Sequence, residues 1–277
     1  MIEVLKMNLL NEPFRENVCT LYVLHIRDSG KILSMQFVKC DKASSPATGS
    51  RLKVRQTYSL LGIIICRGEN NMNSDSGMWG KKVIEKALEY ANYRWTAHEK
   101  NVMHGIDENG RFVDTPDITW KGEILDCGWW KVDEENVGIP YSWGNASTIE
   151  EFETGISEGK YAGNVPEDKK RYGSWNTVGV DCSGLLTRCW ELPKKISTRD
   201  IPKYATMIKC IDEIQQGDVF AKIGSHVMFF VEFLDDEKRE VIIIDATRST
   251  GKVSQRKENV AELFAKGYEI YRKKLPM

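Results

Sequence analysis

Alternation of apolar and polar positions dominates the first part of the chain. Val18 to Ile26 is rich in β-branched and aromatic residues, Asp28-Ser29-Gly30 supplies a turn, and Ile32 to Cys40 carries Leu33, Met35 and Phe37 at every second position. A period of two is that of a half-buried strand, so this stretch predicts a hairpin. Residues 43–50 hold Ser, Pro, Thr and Gly and read as a loop. Leu52 to Cys66 predicts one or two further strands, and its apolar patch Leu60 to Cys66 is short enough to be one buried strand. Residues 68–77 are polar and turn-rich and read as a linker. Residues 1–67 are therefore expected to form either a small β-rich region or an irregular extension packed on the rest.

From Trp79 the period changes. Val83, Ala87, Leu88, Ala91 and Trp95 recur at helical spacing, which predicts a helix from Gly80 to about Glu99. Residues 104–136 and 146–179 are mixed in character and read as two insertions. Then follow a helix at 182–191, a strand at 219–222, a strand at 226–234, a turn at Asp235-Asp236 and a strand at 240–247. A helix over 258–266 and a closing strand over 268–273 complete the pattern. A helix ahead of a run of antiparallel strands predicts an α+β domain over residues 78–277.

Composition narrows the functions open to this fold. With 277 residues, 41% of them hydrophobic, the chain is long enough to bury a core. Lys and Arg total 39 against 40 Asp and Glu, so no bulk charge draws it to nucleic acid, and none is expected as a partner. The seven cysteines include no CxxC pair, so neither a zinc ribbon nor a thioredoxin-type site is indicated. No apolar run reaches the roughly 18 residues of a membrane helix. The first residues mix Glu3, Lys6, Glu12 and Arg15 among the apolar ones, unlike a secretory signal.

Reactive chemistry concentrates in Val178-Gly179-Val180-Asp181-Cys182-Ser183-Gly184, where a turn of small residues opens an amphipathic helix. Cys182 falls at or near that helix start, where unpaired N–H groups and the positive end of the dipole favour the nucleophilic thiolate. A buried structural thiol is the other reading of such a cysteine. Cys189 lies two turns further on and is expected to pack inward and be inert. A thiolate needs a proton partner near neutral pH, which means one of His25, His98, His104 and His226. His226 follows Gly224-Ser225 and opens the apolar strand Val227 to Val231, a position that suits the lip of a site or a plain surface histidine. Pairing through the turn near Asp236 brings His226 opposite a position close to 246. Asp245, at the end of four β-branched residues, then lies within one residue of facing it and is the candidate to orient the imidazole.

Taken together, these residues resemble the NlpC/P60 family of cysteine peptidases, papain-like α+β enzymes that mostly cut amide bonds in peptidoglycan stem peptides. Gly138-Ile139-Pro140-Tyr141-Ser142-Trp143-Gly144 looks like the family's G-x-P-Y-x-W-G segment. Asp181-Cys182-Ser183-Gly184 matches its nucleophile motif, Gln216-Gly217-Asp218-Val219 looks like its P-G-D turn, and Ser225-His226-Val227 matches the start of its histidine strand. The likeness covers roughly residues 80–277. It implies Cys182 as nucleophile, His226 as base and acid, and Asp245 as the orienting residue, where the family often has His. It also implies a Tyr141 hydroxyl beside the nucleophile, and Asp181 and Ser183 in contact with the substrate's amino end. Most relatives work in the cell envelope or outside the cell.

The resulting expectation is a cysteine hydrolase with a Cys182–His226–Asp245 triad, acting on a peptide or peptidoglycan fragment and needing neither metal nor organic cofactor. An acyltransferase or transglutaminase-like enzyme on the same residues, and an inactive glycan- or peptide-binding module, are the alternatives. Trp120, Trp129, Trp130, Trp143 and Trp175 crowd the Tyr141 segment and the insertions. They read as core filling or, where exposed, as platforms for a sugar or apolar ligand.

Overall fold

The structure is a computed structural model. It describes the backbone of residues 4–7, 18–26, 32–41 and 74–274 apart from 126 and 167–175, with side chains from 77 onward. The chain divides into two compact units, Met1–Thr57 and Tyr58–Met277. In the first, strands β1 (Val4–Met7), β2 (Val18–Ile26) and β3 (Ile32–Asp41) form an antiparallel sheet in that order. The hairpin expected from the alternating pattern is β2–β3, and β1 adds to it. The strands expected between Leu52 and Cys66 lie outside the described residues, as does Trp175.

The second unit opens with α1 (Ser74–Asn92). The helix starts inside the stretch read as a linker and stops well short of Glu99. Ser and Asp suit a helix N-terminus, which is why Ser74-Asp75-Ser76 looks like loop from sequence. Trp95, placed on the helix by its spacing, belongs instead to β4 (Arg94–Thr96). The first insertion carries β5 (His104–Ile106), β6 (Phe112–Asp114) and β7 (Glu135–Val137), with β4 pairing β7 and β5 pairing β6. The second holds α2 (Ile149–Glu158), whose Thr148 and Glu151 make a reciprocal capping box, then β8 (Tyr161–Ala162) and β9 (Thr177–Val178). Trp130 is fully buried and Trp120 nearly so, while Trp129 donates to the Gly251 carbonyl, so these three act as core.

Next come α3 (Cys182–Cys189), the short α4 (Ile201–Tyr204) and β10 (Ala205–Ile208). They are followed by β11 (Val219–Lys222), β12 (His226–Phe233), β13 (Glu240–Thr247), β14 (Lys252–Asn259), α5 (Val260–Ala265) and β15 (Glu269–Lys273). The fold is mixed helix and antiparallel sheet. The six-stranded sheet runs β10-β15-β11-β12-β13-β14, with every neighbouring pair antiparallel. One face packs Val227, Phe229, Ile244 and Ala246 against Ala87 of α1 and Leu185, Leu186 and Cys189 of α3. The other packs Phe220, Phe230, Val241 and Ile243 against Val260 and Leu263 of α5. Burial on both faces explains the unbroken β-branched run Val241 to Ile244.

Register decides what meets at the end of the sheet. Phe233 faces Val241, but Phe229 faces Ile244, because a bulge between Phe230 and Glu232 absorbs one residue. Continued in that register, β12 sets His226 opposite Thr247 rather than near 246. His226 and Asp245 then share one face as diagonal neighbours. The expected register, one residue off, would have put them on opposite faces.

Because α1 and the sheet it covers lie beyond residue 73, a chain starting at residue 70 is expected to unfold in one cooperative thermal transition. A broad, non-cooperative trace by circular dichroism would show that residues before 70 are needed for the rest to fold.

Candidate active site

Asp181 organises the start of α3. Its extended backbone, φ −89° and ψ 177°, sets it as the N-cap. Oδ1 accepts from the Gly184 N–H at 2.6 Å and the Ser183 hydroxyl at 2.8 Å. Oδ2 accepts from the Gly144 N–H at 3.0 Å and Lys195 Nζ at 2.9 Å. A cap of this kind contributes about 1 kcal/mol, and here it also ties the helix to the Tyr141 segment. Both glycines of the arrangement have a reason. Gly144 is left-handed at φ 81°, and a Cβ on Gly184 would come within 2.1 Å of the Asn145 carbonyl oxygen. Cys182 is the first helical residue and is half-buried. Cys189, two turns below, is buried, and that burial pushes its thiol far above the ordinary range, as suits an inert packing residue.

His226 opens β12, and its Nε2 lies 2.7 Å from Asp245 Oδ2. With Nε2 engaged there, Nδ1 is the nitrogen left for another partner. Burial alone would favour the neutral imidazole. The hydrogen bond with Asp245, and then the interaction with Cys182, outweigh it and raise His226 well above the usual imidazole range. Cys182, His226 and Asp245 are therefore gathered at the end of the sheet where β12 begins.

Asp245 has no solvent-exposed side-chain surface. Burial favours its neutral acid, but the bonds from His226 and Arg256 prevail and hold it below the usual carboxylate range. Arg256, on the neighbouring strand β14, grips it with two bonds, Nε to Oδ1 at 3.0 Å and Nη2 to Oδ2 at 2.7 Å. Arg256 also pairs with Glu258 on its far side. The result is a row of alternating charge from imidazole to carboxylate to guanidinium to carboxylate. Sequence reasoning missed Arg256 because β14 reads Lys252-Val253-Ser254-Gln255-Arg256-Lys257-Glu258-Asn259, with too little apolar alternation to register as a strand.

Tyr141 is 3% exposed. Burial, followed by the negative charges of Asp181 and Cys182, pushes its hydroxyl far above the usual phenol range, so it stays protonated beside the cysteine. Tyr268, just before β15, sets its ring edge-on to His226, with centroids 6.4 Å apart and an interplanar angle of 89°. No motif in the sequence points to it. Arg248 lies over the Trp143 ring and bonds the Pro166 carbonyl. Asp181 and Ser183, which the resemblance sets against a substrate's amino end, bind each other and Lys195. Of the other histidines in the second unit, His98 pairs with Asp133, and His104 sits between Asp114 and Asp117.

Among the described residues, no cluster of three or more His, Cys, Asp or Glu side chains is placed to hold a metal, and no helix is long and apolar enough to cross a membrane. Compared with family models, curated proteins and solved structures, the chain matches none.

Proposed function

We propose that this protein is a papain-like cysteine hydrolase of the NlpC/P60 kind, cutting an amide or peptide bond through an acyl-enzyme. The supporting observation is the meeting of Cys182 at a helix start, His226, and an Asp245 with no exposed side chain. Without a chemical role, a buried carboxylate and a raised imidazole at the mouth of a strand are an expensive arrangement.

In this reading the Cys182 thiolate adds to the substrate carbonyl carbon. The backbone N–H of Cys182 and the Tyr141 hydroxyl hold the oxyanion, an effect typically worth about 3 kcal/mol per donor. The imidazolium N–H at Nδ1 protonates the leaving nitrogen as the C–N bond breaks, leaving a thioester on Cys182. Neutral His226 then takes a proton from water, which attacks the thioester and frees the carboxylic acid and the thiol. Asp245 keeps the ring oriented and the imidazolium stable throughout. The resemblance makes a peptide, and first of all a peptidoglycan stem peptide, the substrate to try.

Limiting iodoacetamide at about pH 6, where an ordinary thiol of pKa about 8.5 is almost wholly protonated, is expected to label Cys182 ahead of every other cysteine. Exposed Cys127 is the internal comparison. Peptide mapping reads the result, and preferential labelling at any other cysteine counts against the assignment. Incubation with muropeptides and simple peptides, followed by mass spectrometry, then identifies the bond cut.

A further inference from the structure

Asp181 and Ser183 flank the nucleophile in the chain, and one ammonium bridges them. Lys195 Nζ donates to Asp181 Oδ2 at 2.9 Å and to Ser183 Oγ at 3.3 Å. The remaining acceptor positions of Asp181 are taken by the Ser183 hydroxyl and the Gly144 and Gly184 N–H groups. Four donors on two oxygens leave this carboxylate saturated. An arriving substrate amine would find no vacant acceptor and would meet a like charge. The Lys195 side chain keeps 31% of its surface exposed, so its charge reaches the solvent beside the nucleophile. A second cation acts near Tyr141. Arg248, 6.0 Å from the Trp143 ring centre, favours a negative charge on the Tyr141 oxygen, next to Cys182.

We propose that Lys195 sets the substrate class of this site, selecting acyl donors that carry an anionic group beside the scissile carbonyl and rejecting those with a free amine there. The inference rests on Cys182 being the nucleophile. It replaces the expectation that Asp181 and Ser183 receive an amino end. The ammonium that satisfies them belongs to the protein itself.

Charged alkylating reagents test this without a known substrate. In the full chain, the rates at Cys182 are measured by peptide mapping with iodoacetate, neutral iodoacetamide and cationic 2-bromoethylamine. The same measurements are made on Lys195→Gln and Lys195→Glu, with exposed Cys127 as the reference thiol. Removing one unit charge at about 4 Å in water is worth about fivefold in each rate, so in Lys195→Gln the iodoacetate rate at Cys182 is expected to fall and the 2-bromoethylamine rate to rise, taking their ratio down about 25-fold, and further in Lys195→Glu. The ratio at Cys127 should stay constant. A change of less than about twofold at Cys182 in both variants, with the iodoacetamide rate there still above that of Cys127, overturns the charge selection alone. A wild-type iodoacetamide rate at Cys182 no higher than at Cys127 overturns the nucleophile reading, and the selectivity with it.

Discussion

Replacing His226 with Ala is expected to lower turnover by about 10²-fold or more, the usual scale of general acid–base catalysis. Before a substrate is in hand, the same variant should slow Cys182 alkylation by iodoacetamide at about pH 6, read by peptide mapping. The cause is the loss of the imidazolium that sits between Cys182 and Asp245. Asp245→Asn should keep the fold and lose rate, because the amide still fills the space but no longer stabilises the imidazolium. Since the residues act as a unit, the double variant should be little worse than His226→Ala alone. Multiplying losses would mean that Asp245 acts elsewhere. An alkylation rate unchanged by His226→Ala would remove the pairing on which the hydrolase reading depends.

The second large effect is on stability. Arg256→Met removes the bidentate partner of a carboxylate with no solvent contact, and such a broken buried pair costs about 3–5 kcal/mol. The pH dependence has a definite sign. In the wild type Asp245 is held below its unfolded value of about 3.9, so its stabilising contribution is present above that pH and fades as pH falls through the folded value. Without Arg256, the effect of burial weighs more heavily and raises the folded value. Folding of the variant then takes up a proton, and its deficit shrinks on acidification. Urea denaturation of both chains at about pH 7 and about pH 4.5 should show the gap narrowing. An equal gap at both values would show that Arg256 acts through packing alone.

Legibility from sequence followed the strength of the local signal. Strands β11 and β13 were readable to the residue, because Val219–Lys222 and Glu240–Thr247 are apolar runs bounded by turn residues. The start of α3 was readable because Asp181 is a strong N-cap and Gly184 permits a close approach. Helix α2 was not read, although Thr148 and Glu151 carry the spacing of a capping box. Its polar face merged with the mixed composition around it. The edge strands β10 and β14 carry exposed polar residues, as edges do, and so hide their pairing. With β14 went Arg256. Lys195 was equally invisible, since a lysine in a loop carries no signal until the loop is seen to fold back on Asp181. Single residues of the site could be picked out along the chain, whereas the partners that saturate or neutralise them depend on long-range pairing.

The bulge between Phe230 and Glu232 makes the hairpin count in twos. Side chains along a strand change sides at each step, so whether the imidazole and the carboxylate meet depends on the parity of the residues between them. One residue added within the ladder between His226 and the bulge, and not itself bulged out, would turn the ring through the sheet away from Asp245. Two would restore the side but lengthen the reach. The same count lets Phe230 and Phe233, three positions apart, lie against each other at 4.9 Å on one side. A change of length in the turn beyond Phe233 leaves the parity untouched. The tip of this hairpin is therefore free to vary in length, while the segment from His226 to Phe230 is fixed in length.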